Sequence, residues 1–136
     1  MSILETLNER GMGTLPGLIG LTILDAEESR ISSRLDLRNE LMAPNGYLHA
    51  ATVIALADTS CGYGTFVNLP EGAESFTTIE LKSNFVGTKR GGAIRCDAKL
   101  VHGGRTTQVW DATVSDEEGG KPIALFRCTQ MILYPR

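Results

Sequence analysis

The chain has 136 residues, a net charge of −3, and 42% hydrophobic and 21% charged residues. That is one domain's worth of ordinary globular composition, long enough to bury roughly two thirds of the surface the unfolded chain exposes. The acidic balance argues against a basic surface for nucleic acid, and no run approaches the ~18 apolar residues that a membrane span requires.

Ser2-Ile3-Leu4-Glu5 reads as a capping box, with Ser2 as N-cap and Glu5 reaching back. It predicts a short helix to about Arg10, ended by Gly11 in a left-handed conformation. This segment has neither the basic start nor the apolar run of a signal peptide. Residues 12–20 hold three glycines and a proline and are expected to be a loop. Residues 21–26 and 30–37 read as two strands, with Ile31, Leu35 and Leu37 on one face of the second. Pro44-Asn45-Gly46 is a strong turn signal.

Residues 47–66 form the longest apolar segment, with Ala50, Ala51, Val53, Ile54, Ala55, Leu56 and Ala57 in near-continuous order. A helix apolar nearly all round is a buried helix, and Gly62 and Gly64 predict fraying or a bend near its end. Residues 68–72 are a loop, after which period-two alternation begins. Over 76–85, Thr77, Ile79, Leu81, Ser83 and Phe85 share one face, and Thr78, Glu80, Lys82 and Asn84 the other. Residues 87–92 form a glycine-rich basic loop. Ile94, Cys96, Ala98 and Leu100 then alternate with charged residues, His102 to Arg105 make a turn, and Trp110, Ala112 and Val114 face inward. A glycine turn at 116–121 leads to the last strand, 123–134. The pattern predicts an α+β fold: a short N-terminal helix and one long buried helix against a curved antiparallel sheet of about five to six strands, the last three in a meander. One domain is expected to span 1–136.

Cys61, Cys96 and Cys128 are odd in number, and no two make a C-x-x-C pair, which points to free thiols in a reducing compartment. With only His49 and His102, a histidine metal cluster is not expected. The expected location is cytoplasmic, with neither a membrane nor a nucleic-acid partner.

Asp58 stands in the most apolar run of the protein. A buried carboxylate is costly unless it is paired, and such groups often carry shifted pKa values and chemical work. The competing reading is a capping or edge role at the turn beginning with Thr59. The second feature is the helix start, Asn45-Gly46-Tyr47-Leu48-His49-Ala50, where free N–H groups and the positive dipole end can stabilise an oxyanion. The competing reading there is an ordinary turn with His49 packed or capping. Ala50 and Asp58 are eight residues apart, about 12 Å along a helix, too far to act on one carbonyl carbon. Two antiparallel copies of the helix across a two-fold axis bring Ala50 of one chain near Asp58 of the other, so if both act, the protein is at least a dimer.

Met42-Ala43-Pro44-Asn45-Gly46-Tyr47-Leu48-His49-Ala50-Ala51, followed by Ala55-Leu56-Ala57-Asp58-Thr59, resembles the helix signature of hot dog fold thioesterases. The nearest types are the phenylacetate-degradation (PaaI-like) and 4-hydroxybenzoyl-CoA thioesterases. In that family a G-x-x-H-G-G turn opens the helix, and an L-A-D or L-A-E acid follows eight residues after the first glycine of H-G-G. Gly46, His49, Ala50 and Asp58 match it.

The resemblance implies hydrolysis of an acyl-CoA with no metal or redox cofactor, by a homodimer that pairs into a homotetramer. The Ala50 backbone N–H would bind the thioester oxygen. Asp58 of the partner chain would be a general base on water or a nucleophile forming a mixed anhydride. Thr77 falls where some relatives carry a hydroxyl that positions the water. Two departures stand out: Ala50 replaces the first glycine of H-G-G, and Ala43 stands where relatives often have Asn or Gln, with Asn45 as the candidate substitute. Lys89 and Arg90, and Gly104 with Arg105, are the candidate contacts for the CoA phosphates. The rival readings are a non-catalytic acyl-CoA sensor or carrier, and a hydratase or dehydratase on the same fold.

Overall fold

The computed structural model describes Met1–Arg136. Helix α1 (Ile3–Arg10) leads into a short helix α2 (Leu15–Ile19) and the strands β1 (Thr22–Glu27) and β2 (Arg30–Asp36). The long helix α3 (Ala50–Val67) follows, then β3 (Ser75–Phe85), β4 (Ala93–Gly103), β5 (Thr107–Asp116) and β6 (Pro122–Leu133). The six strands form one antiparallel sheet in the order β1-β2-β4-β5-β6-β3. The expected α+β architecture and the β4–β5–β6 meander are present. The strand after the helix does not join its sequence neighbour β4. It crosses to the far edge and pairs with β6.

Local chemistry explains most elements, and several expectations need correction. The Ser2 hydroxyl caps α1 by accepting from the Glu5 N–H at 3.2 Å, and Glu5 returns to that hydroxyl rather than to the Ser2 N–H. Gly11 is right-handed, at φ −79°. The left-handed residue is Gly13, because the chain turns tightly enough for Gly17 N–H to reach Gly11 C=O. The expected loop at 12–20 contains α2, which has Pro16 in its first turn and left-handed Gly20 at its end.

Helix α3 packs against β2 through β6, and its buried face carries Val53, Leu56, Ala57, Cys61 and Gly64. The sheet answers with Ile31, Leu35, Ile94, Cys96, Trp110, Val114 and Phe126. Ala50, Ala51, Ile54, Ala55, Asp58, Thr59 and Gly62 form a stripe that the sheet does not bury. The helix is therefore wrapped on one side, not all round.

Nor does α3 fray at its glycines: it runs unbroken to Val67. Gly64 is where the Trp110 indole lies against the helix backbone, and a Cβ at that position would collide with the ring. Replacing Gly64 with Ala forces helix and sheet apart, an overpacking cost of about 1–3 kcal/mol. Urea unfolding of Gly64→Ala should show that loss; an unchanged midpoint would mean that the contact does not set the helix–sheet distance.

Candidate active site

The turn before α3 is tightly held. Ala43 N–H donates to Tyr47 C=O at 2.7 Å, and Gly46 N–H donates to Ala43 C=O at 2.9 Å. The Asn45 side chain accepts from Tyr47 N–H at 3.1 Å, which commits it to building the turn. Gly46 sits at φ 87°, a conformation that favours glycine. Leu48 N–H donates to Lys89 C=O at 3.0 Å and ties the turn to the β3–β4 connection.

His49 is the N-cap of α3, and its Nδ1 accepts from Ala51 N–H at 2.9 Å. In the neutral ring the proton then lies on Nε2, so the outward nitrogen is a donor and not a base. Ala50 is exposed, and its N–H donates to no atom of the chain. The cap takes the Ala51 N–H and leaves the Ala50 N–H free. Ala50 also lines a cavity of about 310 Å³, whose other walls include Leu48, Val53, Phe85 and Ile123.

Asp58 lies two turns further along the open stripe, half-buried, with no cation paired to it. Burial pushes its pKa above the ordinary carboxylate value, and a proton donated by the Thr78 hydroxyl would pull it part of the way back. Thr78 Oγ1 lies 3.4 Å from Asp58 Oδ1 and 2.7 Å from Gln130 Oε1. Cys61, one turn beyond Asp58, is fully buried. Its hydrogen bond with Cys128 and its burial hold the thiol pKa well above the usual value, which rules it out as a thiolate nucleophile.

The structure places Thr78, not Thr77, against the helix. The β3–β6 register shifts between Thr78 and Glu80, so the strand carries a bulge at Ile79. Phe76 and Thr78 pair with buried Ile132 and Gln130, while beyond the bulge Leu81, Ser83 and Phe85 pair with Cys128, Phe126 and Ala124. One extra residue swaps the faces. The expected inward set is correct from Leu81 onward and reversed before it, and Thr77 points outward beside Met131. Gln130 went unnoticed in the sequence, although it occupies a core-facing position in the alternation of β6.

The expected phosphate contacts divide. The Lys89 ammonium is mostly buried in an ion pair with Asp116 at 2.5 Å and also donates to Ala93 C=O, so its charge is spent on holding the loop. Arg90 has no carboxylate partner and lies 4.9 Å over the Tyr47 ring, beside the start of α3. Gly104 N–H closes the β4–β5 turn onto Thr107 C=O. Arg105 lies 5.8 Å over Tyr134, and both turn residues border a hollow that Asn68, the C-cap of α3, also lines. Arg90 and Arg105 are therefore at opposite ends of α3 within one protomer.

Comparison with known proteins identifies the family and the fold. The model of the thioesterase superfamily matches residues 45–123, more than half of the chain. A 1,4-dihydroxy-2-naphthoyl-CoA hydrolase from Listeria monocytogenes is 29% identical over 111 residues, covering 82% of this chain and 89% of the relative. The crystal structure of a mutant thioesterase from Pseudomonas aeruginosa superposes with a TM-score of 0.90 at 25% identity, covering 96% of this chain and 93% of the other. A thioesterase from Haemophilus influenzae also gives a TM-score of 0.90 at 25% identity, with coverage of 98% and 92%.

The raised pKa of Asp58 has a stability consequence. The folded state binds the Asp58 proton more tightly than the unfolded state, so the cost of the carboxylate is fully present above its folded pKa. That cost disappears as pH falls below the unfolded value. Asp58→Asn should therefore raise the melting temperature by a few degrees at neutral pH, with the gain vanishing in acid. Thermal scans across pH test this; a mutant less stable at neutral pH would mean that the carboxylate is stabilised where it sits.

Proposed function

Because the chain belongs to the thioesterase superfamily, we propose that it hydrolyses an acyl-CoA thioester to the free acid and CoA at sites shared between two protomers. The observation that carries this reading is the separation of two groups on one open stripe. A free N–H at Ala50 can hold the carbonyl oxygen, and an unpaired carboxylate at Asp58 can activate water. Eight residues of helix, about 12 Å, keep them from serving the same carbonyl within a chain.

Pairing two copies across a two-fold axis removes that separation. The surfaces such pairing needs are open: the small-residue stripe of α3 and the edge strand β3, which exposes Ile79, Leu81 and Phe85. An uncovered apolar edge strand is itself a liability in a monomer. In the paired site, Asp58 takes a proton from water as the oxygen attacks the thioester carbon. The oxyanion rests on the Ala50 N–H. Collapse breaks the C–S bond, and the leaving thiolate of CoA recovers the proton from Asp58.

The apolar cavity beside Ala50 suits an uncharged acyl group. Arg90 and, from the other end of a helix, Arg105 are candidate cations for the CoA phosphates. The hydratase reading loses support because the His49 nitrogen that faces outward is a donor.

Thiol release from a panel of aryl- and alkyl-CoA esters tests the chemistry. Wild-type turnover should fall at least ~100-fold in Asp58→Asn, with folding and CoA binding intact. Equal rates would remove Asp58 from the mechanism, and tight binding without turnover by either protein would favour a sensor or carrier.

Shared sites predict complementation. Ala50→Pro removes the donor at the first helical position, where proline is tolerated. Asp58→Asn and Ala50→Pro chains, each inactive alone, should regain about a quarter of wild-type activity when refolded together, since half of the random dimers then hold one intact site. No recovery would place both groups in the same protomer's site.

A further inference from the structure

Two fully buried glutamines, Gln108 and Gln130, stand side by side on β5 and β6. Gln108 has a structural explanation. Its amide donates to Asn68 C=O at the end of α3, and its oxygen accepts from the Trp110 indole N–H. Gln130 has no such backbone duty. Its contacts are the Thr78 hydroxyl at 2.7 Å and, weakly, the Cys128 sulfur at 3.6 Å. Burying an amide is costly, and this one is aimed at the neighbour of Asp58.

The Thr78 hydroxyl has one proton and two acceptors within reach: Gln130 Oε1 at 2.7 Å and Asp58 Oδ1 at 3.4 Å. The shorter contact takes the proton. With its hydrogen held by Gln130, Thr78 turns its lone pairs toward the site. A water above Asp58 then meets two acceptors, the carboxylate and the Thr78 oxygen, one for each of its hydrogens. Both lone pairs of its oxygen stay free, and one can attack.

We propose that Gln130 is a positioning residue that withholds the Thr78 proton from Asp58. It thereby keeps the carboxylate a strong base and makes Thr78 a second acceptor for the attacking water. The inference rests on the thioesterase reading with Asp58 as base. Asp58 faces Thr78 from β3 and Cys61 from its own helix, with Cys128 of β6 behind, and no cation or second carboxylate of the protomer pairs with it. Its proton affinity is therefore sensitive to where this one hydroxyl points.

Gln130→Met keeps the bulk and removes the amide. The Thr78 proton is then free to turn to Asp58, which stabilises the carboxylate. The acid limb of the kcat/KM profile should move to lower pH, and kcat should fall roughly tenfold, less than on losing the base itself, with KM nearly unchanged. On a Thr78→Val background the same change should cost nothing further. An unmoved limb, a limb moved to higher pH, or an additive loss in the double mutant would overturn the proposal. Thr78→Val alone gives a check that leaves Gln130 in place, should Gln130→Met fail to fold. It should lower kcat while the acid limb stays put, because Thr78 gives Asp58 little in the wild type; a limb displaced upward would mean that Thr78 donates to Asp58 and would sink the idea. Asp58→Asn in the same assays separates the two readings. If it keeps wild-type rates, the base assignment fails; if it is inactive while Gln130→Met matches wild type in rate and profile, only the role of Gln130 fails.

Discussion

The Trp110 ring against the backbone at Gly64 sets how closely the sheet approaches α3, and the rest of the molecule is built on that distance. The indole cannot bury its N–H without a partner, and Gln108 supplies one while also holding the last turn of the helix through Asn68. One strand over, Gln130 and then Thr78 continue the same row toward Asp58. Strand pairing thus sets the contact at the carboxyl end of the helix in one row with the group at its middle. Polar side chains across a core are tolerable only when they find partners, and Gln108, Gln130 and Thr78 each find one.

The chemistry proposed for the site asks for little beyond this scaffold. A thioester needs a donor for the oxygen and a base for water. The helix start supplies the donor because His49 caps Ala51 and leaves the Ala50 N–H free. The base is supplied by setting a carboxylate into a half-covered stripe with no counter-charge, where burial makes the ionised form less comfortable than in water. The same desolvation that lowers stability raises basicity, so under the proposed function stability and activity oppose one another at Asp58.

The architecture was legible wherever a repeat or a cap carried it. The Ser2 cap, the alternation of β4, β5 and β6, and the apolar run of α3 each have a physical cause that acts within a few residues. What sequence reasoning missed depended on distant parts of the chain. The bulge at Ile79 inserts one residue against β6 and turns Thr78 inward instead of Thr77, and no local preference around Thr77 announces it. The charge of Lys89 looked available until Asp116, far along the chain, proved to hold it. Gly64 read as a helix weakness because the ring it accommodates comes from another strand. Gln130 was within reach of the sequence, since a glutamine at a core-facing position in a regular alternation calls for an explanation.

Ala50 in place of the expected glycine fits the same logic. Oxyanion binding uses the backbone N–H, which alanine keeps, and alanine stabilises the first turn of a helix where glycine loosens it. The added methyl is not idle: Cβ atoms lean toward the helix N-terminus, and Ala50 forms part of the cavity wall with Leu48 and Val53. Under the proposed function this wall adjoins the oxyanion donor, so the methyl would bear on which acyl group the cavity accepts. The proposal thus assigns acyl choice and oxyanion binding to different atoms of one residue, its side chain and its amide.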